Sequence, residues 1–256
     1  IRCDLAALYR LVAHFRMSDF IYTHISARVP GPEHHFLINP YGFYFDEITA
    51  SSLVKVDLEG NIVQDTPYFI NPAGFTIHSA VHAAREDAKF VIHLHTVNGV
   101  GVAAQAEGLL PVSQNACLLQ HQVAYHGYEG LALNHDERER LVADLGDKPL
   151  MLLRNHGTLA VGETAAQAWI GIFFLERACA QQVAALSGGC GECAGVQHRG
   201  VVHRGDRQQE QERRLDIAQQ PPQPHRQQVA GGDVEQQRHR ADQAEAGQQV
   251  GETHAT

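Results

Sequence analysis

His93 and His95 stand two residues apart in the run Phe90-Val91-Ile92-His93-Leu94-His95. Side chains alternate between the faces of a strand, so both rings point the same way, as two ligands of one metal ion must. An isolated pair of this kind is as readily a solvated pair of surface histidines. Here Val91, Ile92 and Leu94 mark the strand as interior, where an imidazole without a partner costs about 1 to 3 kcal/mol. A metal ion roughly 2.0 to 2.1 Å from each ring nitrogen would serve as that partner. His156 is the natural third ligand, because Met151-Leu152-Leu153 reads as a second buried strand ending in Arg154-Asn155-His156-Gly157, and strand ends commonly deliver functional side chains. The simpler alternative is a tight turn carrying a surface histidine. Three histidines leave a coordination position open, in the manner of a catalytic site; structural zinc sites are normally closed by four protein ligands.

The elements that must position these rings follow from periodicity. Leu5, Leu8, Leu11, Val12 and Phe15 recur at helical spacing over residues 3 to 15. Ile21 to Val29 and His35 to Ile38 read as strands around Pro30-Gly31-Pro32, and Leu53 to Asp57 with Ile62-Val63 frame a hairpin over Glu59-Gly60-Asn61. A helix starts at Asn71-Pro72, with proline at its first position, and runs to Arg85. After the Phe90 to His95 strand come a helix over 97 to 106, a strand over Gln122 to Tyr125 and a helix capped by Asn134 running through Glu137 to Leu145. A strand at Leu150 to Leu153 and a long helix from Ala165 to Leu186 follow. This order indicates an α/β class with a mixed or largely antiparallel sheet covered by helices. No glycine-rich phosphate loop is present.

The chain has 256 residues, 44% of them hydrophobic, enough for a sizeable core. Its net charge of -9 is the wrong sign for neutralising phosphates, which argues against nucleic acid as a partner. No apolar run is long enough for a membrane helix and no secretory signal is visible, so a cytoplasmic protein with a small-molecule substrate is expected. The five cysteines are scattered and read as reduced thiols. The chain opens at Ile1 directly into a helix, which reads as part of a longer chain. After Gly189 the composition changes abruptly. Residues 190 to 256 contain no Phe, Trp, Tyr, Met or Lys, too little apolar surface to offset an ordering cost of about 1 to 2 kcal/mol per residue. The expected organisation is a domain over 1-189 and a disordered tail over 190-256, read either as a frameshifted segment or as a Gln-rich interaction tail. Cys190 and Cys193 in that tail have the spacing of half a zinc site and receive no role.

Five segments in this order resemble the class II aldolase and adducin head-domain family, in its adducin-like branch. They are Tyr22-Thr23-His24-Ile25-Ser26-Ala27-Arg28, Ile38-Asn39-Pro40-Tyr41-Gly42, Asn71-Pro72-Ala73-Gly74-Phe75-Thr76-Ile77-His78, Val91-Ile92-His93-Leu94-His95-Thr96 and Leu153-Arg154-Asn155-His156-Gly157. The likeness runs from Leu5 to Gly188. It implies a three-layer α/β/α fold, a homotetramer, and a zinc ion held by His93, His95 and His156. Aldolases of the family use the metal to polarise a ketose carbonyl and stabilise the enediolate left by carbon–carbon cleavage.

The departures narrow the expectation. Gly74 stands where those aldolases carry a glutamate that serves as ligand and base; Pro72 and Ala73 replace the serines that hold substrate phosphate, and His24 replaces an asparagine. A sugar phosphate is therefore not expected. Tyr125 matches the family tyrosine that donates a proton from a neighbouring subunit, with Tyr128 as the alternative, and a packing role at the sheet edge is the competing reading of Tyr125. His78, one helical turn beyond Gly74, either packs or hydrogen-bonds behind the site, or compensates for the absent glutamate. The resemblance thus points to a metal-dependent lyase, of the aldolase or decarboxylase kind, acting on a small hydroxy- or keto-carboxylate through a metal-stabilised enolate. The rival is a non-catalytic, adducin-head-like oligomeric scaffold or protein-binding domain. Adducin's actin-directed activity depends on a lysine-rich tail, and this tail holds no lysine.

Overall fold

The computed structural model describes residues 1–130 and 137–188, all within a unit spanning Ile1–Gln197. The Asn134 cap, the 190-256 tail and Cys190 and Cys193 lie outside the described residues. In chain order the elements are α1 (Arg2–His14), β1 (His24–Arg28), β2 (Phe36–Ile38), β3 (Val54–Val56), α2 (Pro72–Ala84), β4 (Phe90–Leu94), α3 (Val97–Ala103), α4 (Gln114–Leu119), β5 (Val123–His126), α5 (Glu137–Leu145), β6 (Leu150–Leu153), β7 (Gly157–Gly162) and α6 (Ala165–Ser187). The seven strands form one mixed sheet in the order β3-β2-β1-β4-β7-β6-β5. Among the described residues only the β5–β6 pair is parallel. No helix of the described residues is long and apolar enough to cross a membrane.

The period of two along the strands sorts side chains into two layers. Ile25, Ala27, Ile92 and Leu94 face a core shared with α1, α3 and α6 residues such as Leu8, Val102 and Ile172. Val91, Met151, Leu153 and Leu159 face the opposite core, with Ile77 and Val81 of α2 and Leu141 and Leu145 of α5. The result is a three-layer α/β/α arrangement. His24, Ser26 and His93 belong to the α2 side, where Ser26 Oγ lies 2.6 Å from His78 Nδ1 and 2.7 Å from His82 Nε2. Ile92, fully buried in the central strand β4, belongs to the first core. Ile92→Ala is expected to cost about 2 to 5 kcal/mol, read as a lower urea midpoint at unchanged slope.

The helix and strand boundaries lie within a few residues of those expected from periodicity. Two elements differ. The short helix α4 was not anticipated, and Gly157–Gly162 is a central strand, paired antiparallel with both β4 and β6. Its six residues are bounded by glycines, and no alternation of polar and apolar residues marks a strand buried on both faces.

Candidate metal centre

β6 and β7 form a hairpin in which Leu153 pairs with Gly157, so Arg154, Asn155 and His156 make its tip. Asn155 adopts a left-handed conformation with φ of 55°, which asparagine tolerates better than most residues. Gly157 is required by close approach: a Cβ there would lie 2.4 Å from the Leu94 carbonyl oxygen and 2.9 Å from His95 Cδ2. This contact seats the hairpin tip against the end of β4.

The consequence is convergence of three imidazoles. His93 Nε2 lies 3.0 Å from His95 Nε2 and 3.3 Å from His156 Nε2. Nitrogens bound at 2.0 to 2.1 Å to a tetrahedral ion stand roughly 3.3 Å apart, so the spacing suits a shared ligand centre. Proton placement points the same way. His93 Nδ1 donates to the Thr158 carbonyl at 3.0 Å, and His95 Nδ1 donates to Asp19 Oδ2 at 3.2 Å. Burial, then the neighbouring His156 and His95, holds His93 well below the usual histidine range; burial likewise lowers His95 against the opposing pull of Asp19. His156 is lowered to about 4 by burial and by His95. Each neutral ring has one proton, and His93 and His95 have spent theirs on Nδ1. Their Nε2 lone pairs therefore face each other across 3.0 Å, an arrangement that a cation stabilises.

A cavity of about 450 Å³ opens onto these rings. Asp19, Tyr22, His24, Asn71, Gly74, Asn155 and Tyr128 contribute to its wall. Asp19 and Tyr22 were not singled out from the sequence, since Asp19 meets His95 across 76 positions and no local pattern announces it. His78 and Tyr125 lie apart from the wall. His78 is fully buried behind His24, with ring centroids 6.2 Å apart. The Tyr125 hydroxyl accepts from Leu109 N at 3.1 Å, and its ring lies 4.7 Å beneath the Arg154 guanidinium.

A second titratable cluster sits at the end of β5. The buried His126 has Nδ1 2.8 Å from Asp144 Oδ2 and Nε2 3.4 Å from Glu137 Oε1, tying β5 to α5. Burial would lower His126, but the hydrogen bond to Asp144 and the charges of Asp144 and Glu137 override it and raise the ring above its ordinary value. A group raised on folding stabilises fully below its unfolded value near 6.5 and loses that contribution as pH rises through the folded value. Asp144→Asn is therefore expected to lower the urea midpoint more at pH 6 than at pH 8.5.

The sequence profile of the Class II Aldolase and Adducin N-terminal domain matches residues 3–183. A Caulobacter vibrioides protein named provisionally as an aldolase class 2 protein is 72% identical over 186 residues, covering 73% of this chain and 72% of that one. Alpha-adducin of Rattus norvegicus is 47% identical over 190 residues, which cover 73% of this chain and 26% of adducin. Among solved structures, the L-fuculose 1-phosphate aldolase from Glaciozyma antarctica superposes with a TM-score of 0.66 at 29% identity, over 73% of each chain.

Proposed function

The chain belongs to the class II aldolase and adducin N-terminal domain family, and from that premise we propose that it is a metal-dependent carbon–carbon lyase acting on a small hydroxy- or keto-carboxylate. The observation that carries this reading is the pair of facing Nε2 lone pairs of His93 and His95, with His156 Nε2 beside them. Neutral nitrogen donors of this kind fit a divalent transition metal, with zinc as the expected ion. Bound there, the metal would act as a Lewis acid toward the negative charge that develops on a substrate oxygen.

The chain's own groups prepare the site for that role. Thr158 and Asp19 fix the tautomers and orientations of His93 and His95, the support that ligating histidines commonly receive. Gly74 leaves the site without a carboxylate at that position. Retro-aldol cleavage needs a base for a hydroxyl proton, whereas loss of carbon dioxide does not, so decarboxylation suits this pocket better. Tyr125, contributed from a neighbouring subunit of a homotetramer, or Tyr128 at the cavity wall, would return the proton. A cytoplasmic location goes with this reading.

The kinship with alpha-adducin favours a second reading, in which the domain is an oligomeric protein-binding scaffold. A panel of non-phosphorylated hydroxy- and keto-acids, with and without zinc, separates the two. The lyase reading expects metal-dependent release of carbon dioxide or an aldehyde from at least one member, abolished by chelator. Absence of any metal-dependent turnover, together with a stable oligomer that captures a protein partner, would establish the scaffold instead.

A further inference from the structure

Two half-exposed tyrosines stand on the wall of the cavity that opens onto the three histidines: Tyr22 is 52% exposed and Tyr128 55%. Both are held by their own segments. Tyr22 N donates to the Asp19 carbonyl at 3.0 Å, closing a turn in which Phe20 adopts φ of 49°, a left-handed conformation that is unusual for a bulky side chain. Backbone strain of this kind collects at functional sites. The turn sets the Phe20 ring 6.0 Å from Tyr22 and 5.4 Å from Tyr44, so an exposed aromatic cluster continues beyond the wall. In the other segment, Tyr128 stands in sequence between His126, whose Nδ1 lies 2.8 Å from Asp144 Oδ2, and Glu129, which accepts from Arg140 Nε at 2.7 Å.

Ile77 and Val100 add apolar surface to this wall, and Asn71 and Asn155 add amides. Among the described residues of the wall, Asp19 is the one acidic side chain and there is no Lys or Arg. Residues 131–136, which follow Gly130 of the wall in sequence, contain no Lys or Arg either. Arg154, next to Asn155, is engaged apart from the wall: it donates to the Gln105 carbonyl and covers the Tyr125 ring. A divalent ion at the histidines would compensate one carboxylate. A phosphate or second carboxylate on the same ligand would enter with no cation of this chain on the wall and with Asp19 there, and burying an unpaired charge is costly. At about 450 Å³ the cavity falls within the roughly 300 to 1,000 Å³ of clefts that take ligands well beyond three carbons and line them with apolar and aromatic groups around a few polar ones.

We infer that Tyr22 and Tyr128 form the binding surface for an aromatic ring carried by the substrate, which is a monocarboxylic α-hydroxy or α-keto acid with an aryl body. The carboxylate end lies at the metal centre and the ring lies against the two tyrosines, where aromatic contacts add to the gain from burial alone. This inference deepens the lyase reading and rests on its metal site. It makes both tyrosines determinants of specificity through their rings, independently of the Tyr128 hydroxyl.

The test titrates the zinc-loaded full chain calorimetrically with three hydroxy acids: mandelate carries a phenyl group, lactate a methyl group in its place, and malate a second carboxylate. Mandelate should bind roughly 10-fold or more tightly than lactate or malate, the difference made by enclosing one aromatic ring. Tyr22→Ala and Tyr128→Ala should each erase most of that preference while keeping zinc content, lactate affinity and oligomeric state. Tyr22→Phe and Tyr128→Phe should keep the preference, since the ring and not the hydroxyl makes the contact. Mandelate and lactate bound alike, or not at all, by the zinc-loaded native protein would overturn the aromatic site and leave the metal centre standing, as would a preference intact in both alanine variants. Malate bound as tightly as mandelate would overturn the assignment of a single carboxylate. Should Tyr22→Ala instead break the oligomer, Tyr22 belongs to a subunit contact and the inference falls. A native protein that takes up no zinc overturns the lyase reading itself, and the aryl acid with it.

Discussion

His93→Ala and His156→Ala are each expected to reduce bound zinc from about one equivalent per chain to less than about a tenth after reconstitution and desalting. Removing one of three ligands leaves two, and the loss should exceed the roughly 10- to 100-fold typical of supporting residues around a metal. Thermal melts give an independent reading. Ligand at 100 times its dissociation constant stabilises by about 2.7 kcal/mol, so zinc should raise the melting temperature of the native chain and leave that of the two variants unchanged. The His93 substitution removes a bare lone pair from a crowded cluster, so that variant should not be less stable than the metal-free native chain through the triad itself. Native protein holding no transition metal after reconstitution, or variants holding as much as the native chain, would sink the assignment.

The second large effect concerns turnover. His95→Ala should abolish metal-dependent cleavage or decarboxylation, because its Nε2 belongs to the cluster and its Nδ1 is oriented by Asp19. Tyr125→Phe should retain zinc and slow turnover by about 10² to 10⁴, the range for loss of a general acid. Tyr128→Phe provides the contrast. Tyr128 lies on the cavity wall of its own chain and is half exposed, whereas the Tyr125 hydroxyl accepts from Leu109 N. If Tyr128→Phe slows turnover and Tyr125→Phe does not, the proton returns through the wall residue, and Tyr125 is left with packing beneath Arg154. Native rates in both variants would exclude a tyrosine from proton transfer.

The α/β class, a mixed sheet covered by helices, was legible in the sequence because most core-facing strands and helices repeat their apolar residues locally, while the three-layer arrangement came from the family resemblance. Alternation along Val91, Ile92, His93 and Leu94 already places His93 with Val91 on one face, and the structure has Val91 in one core and Ile92 and Leu94 in the other. The helical repeat over Leu5, Leu8 and Val12 likewise settles which side of α1 is buried. Likewise, the His93 and His95 spacing restricts both rings to one side of a strand, because side-chain direction along a strand depends only on the backbone period.

What the chain could not announce locally is which distant groups meet. β7 carries no alternating pattern, because a strand covered on both faces needs none, yet its hairpin with β6 and the bare Gly157 against Leu94 bring His156 to β4. Asp19 acquires meaning only through His95, and Gly74 only through the His24 ring that fills the space in front of it. Local periodicity determined most of the elements, α4 and β7 excepted, and the direction of their side chains. Long-range packing decided the spacing of the nitrogens, the fixing of their protons by Thr158 and Asp19, and the burial of His24 beside His93, since each depends on contacts between segments that no short-range pattern encodes.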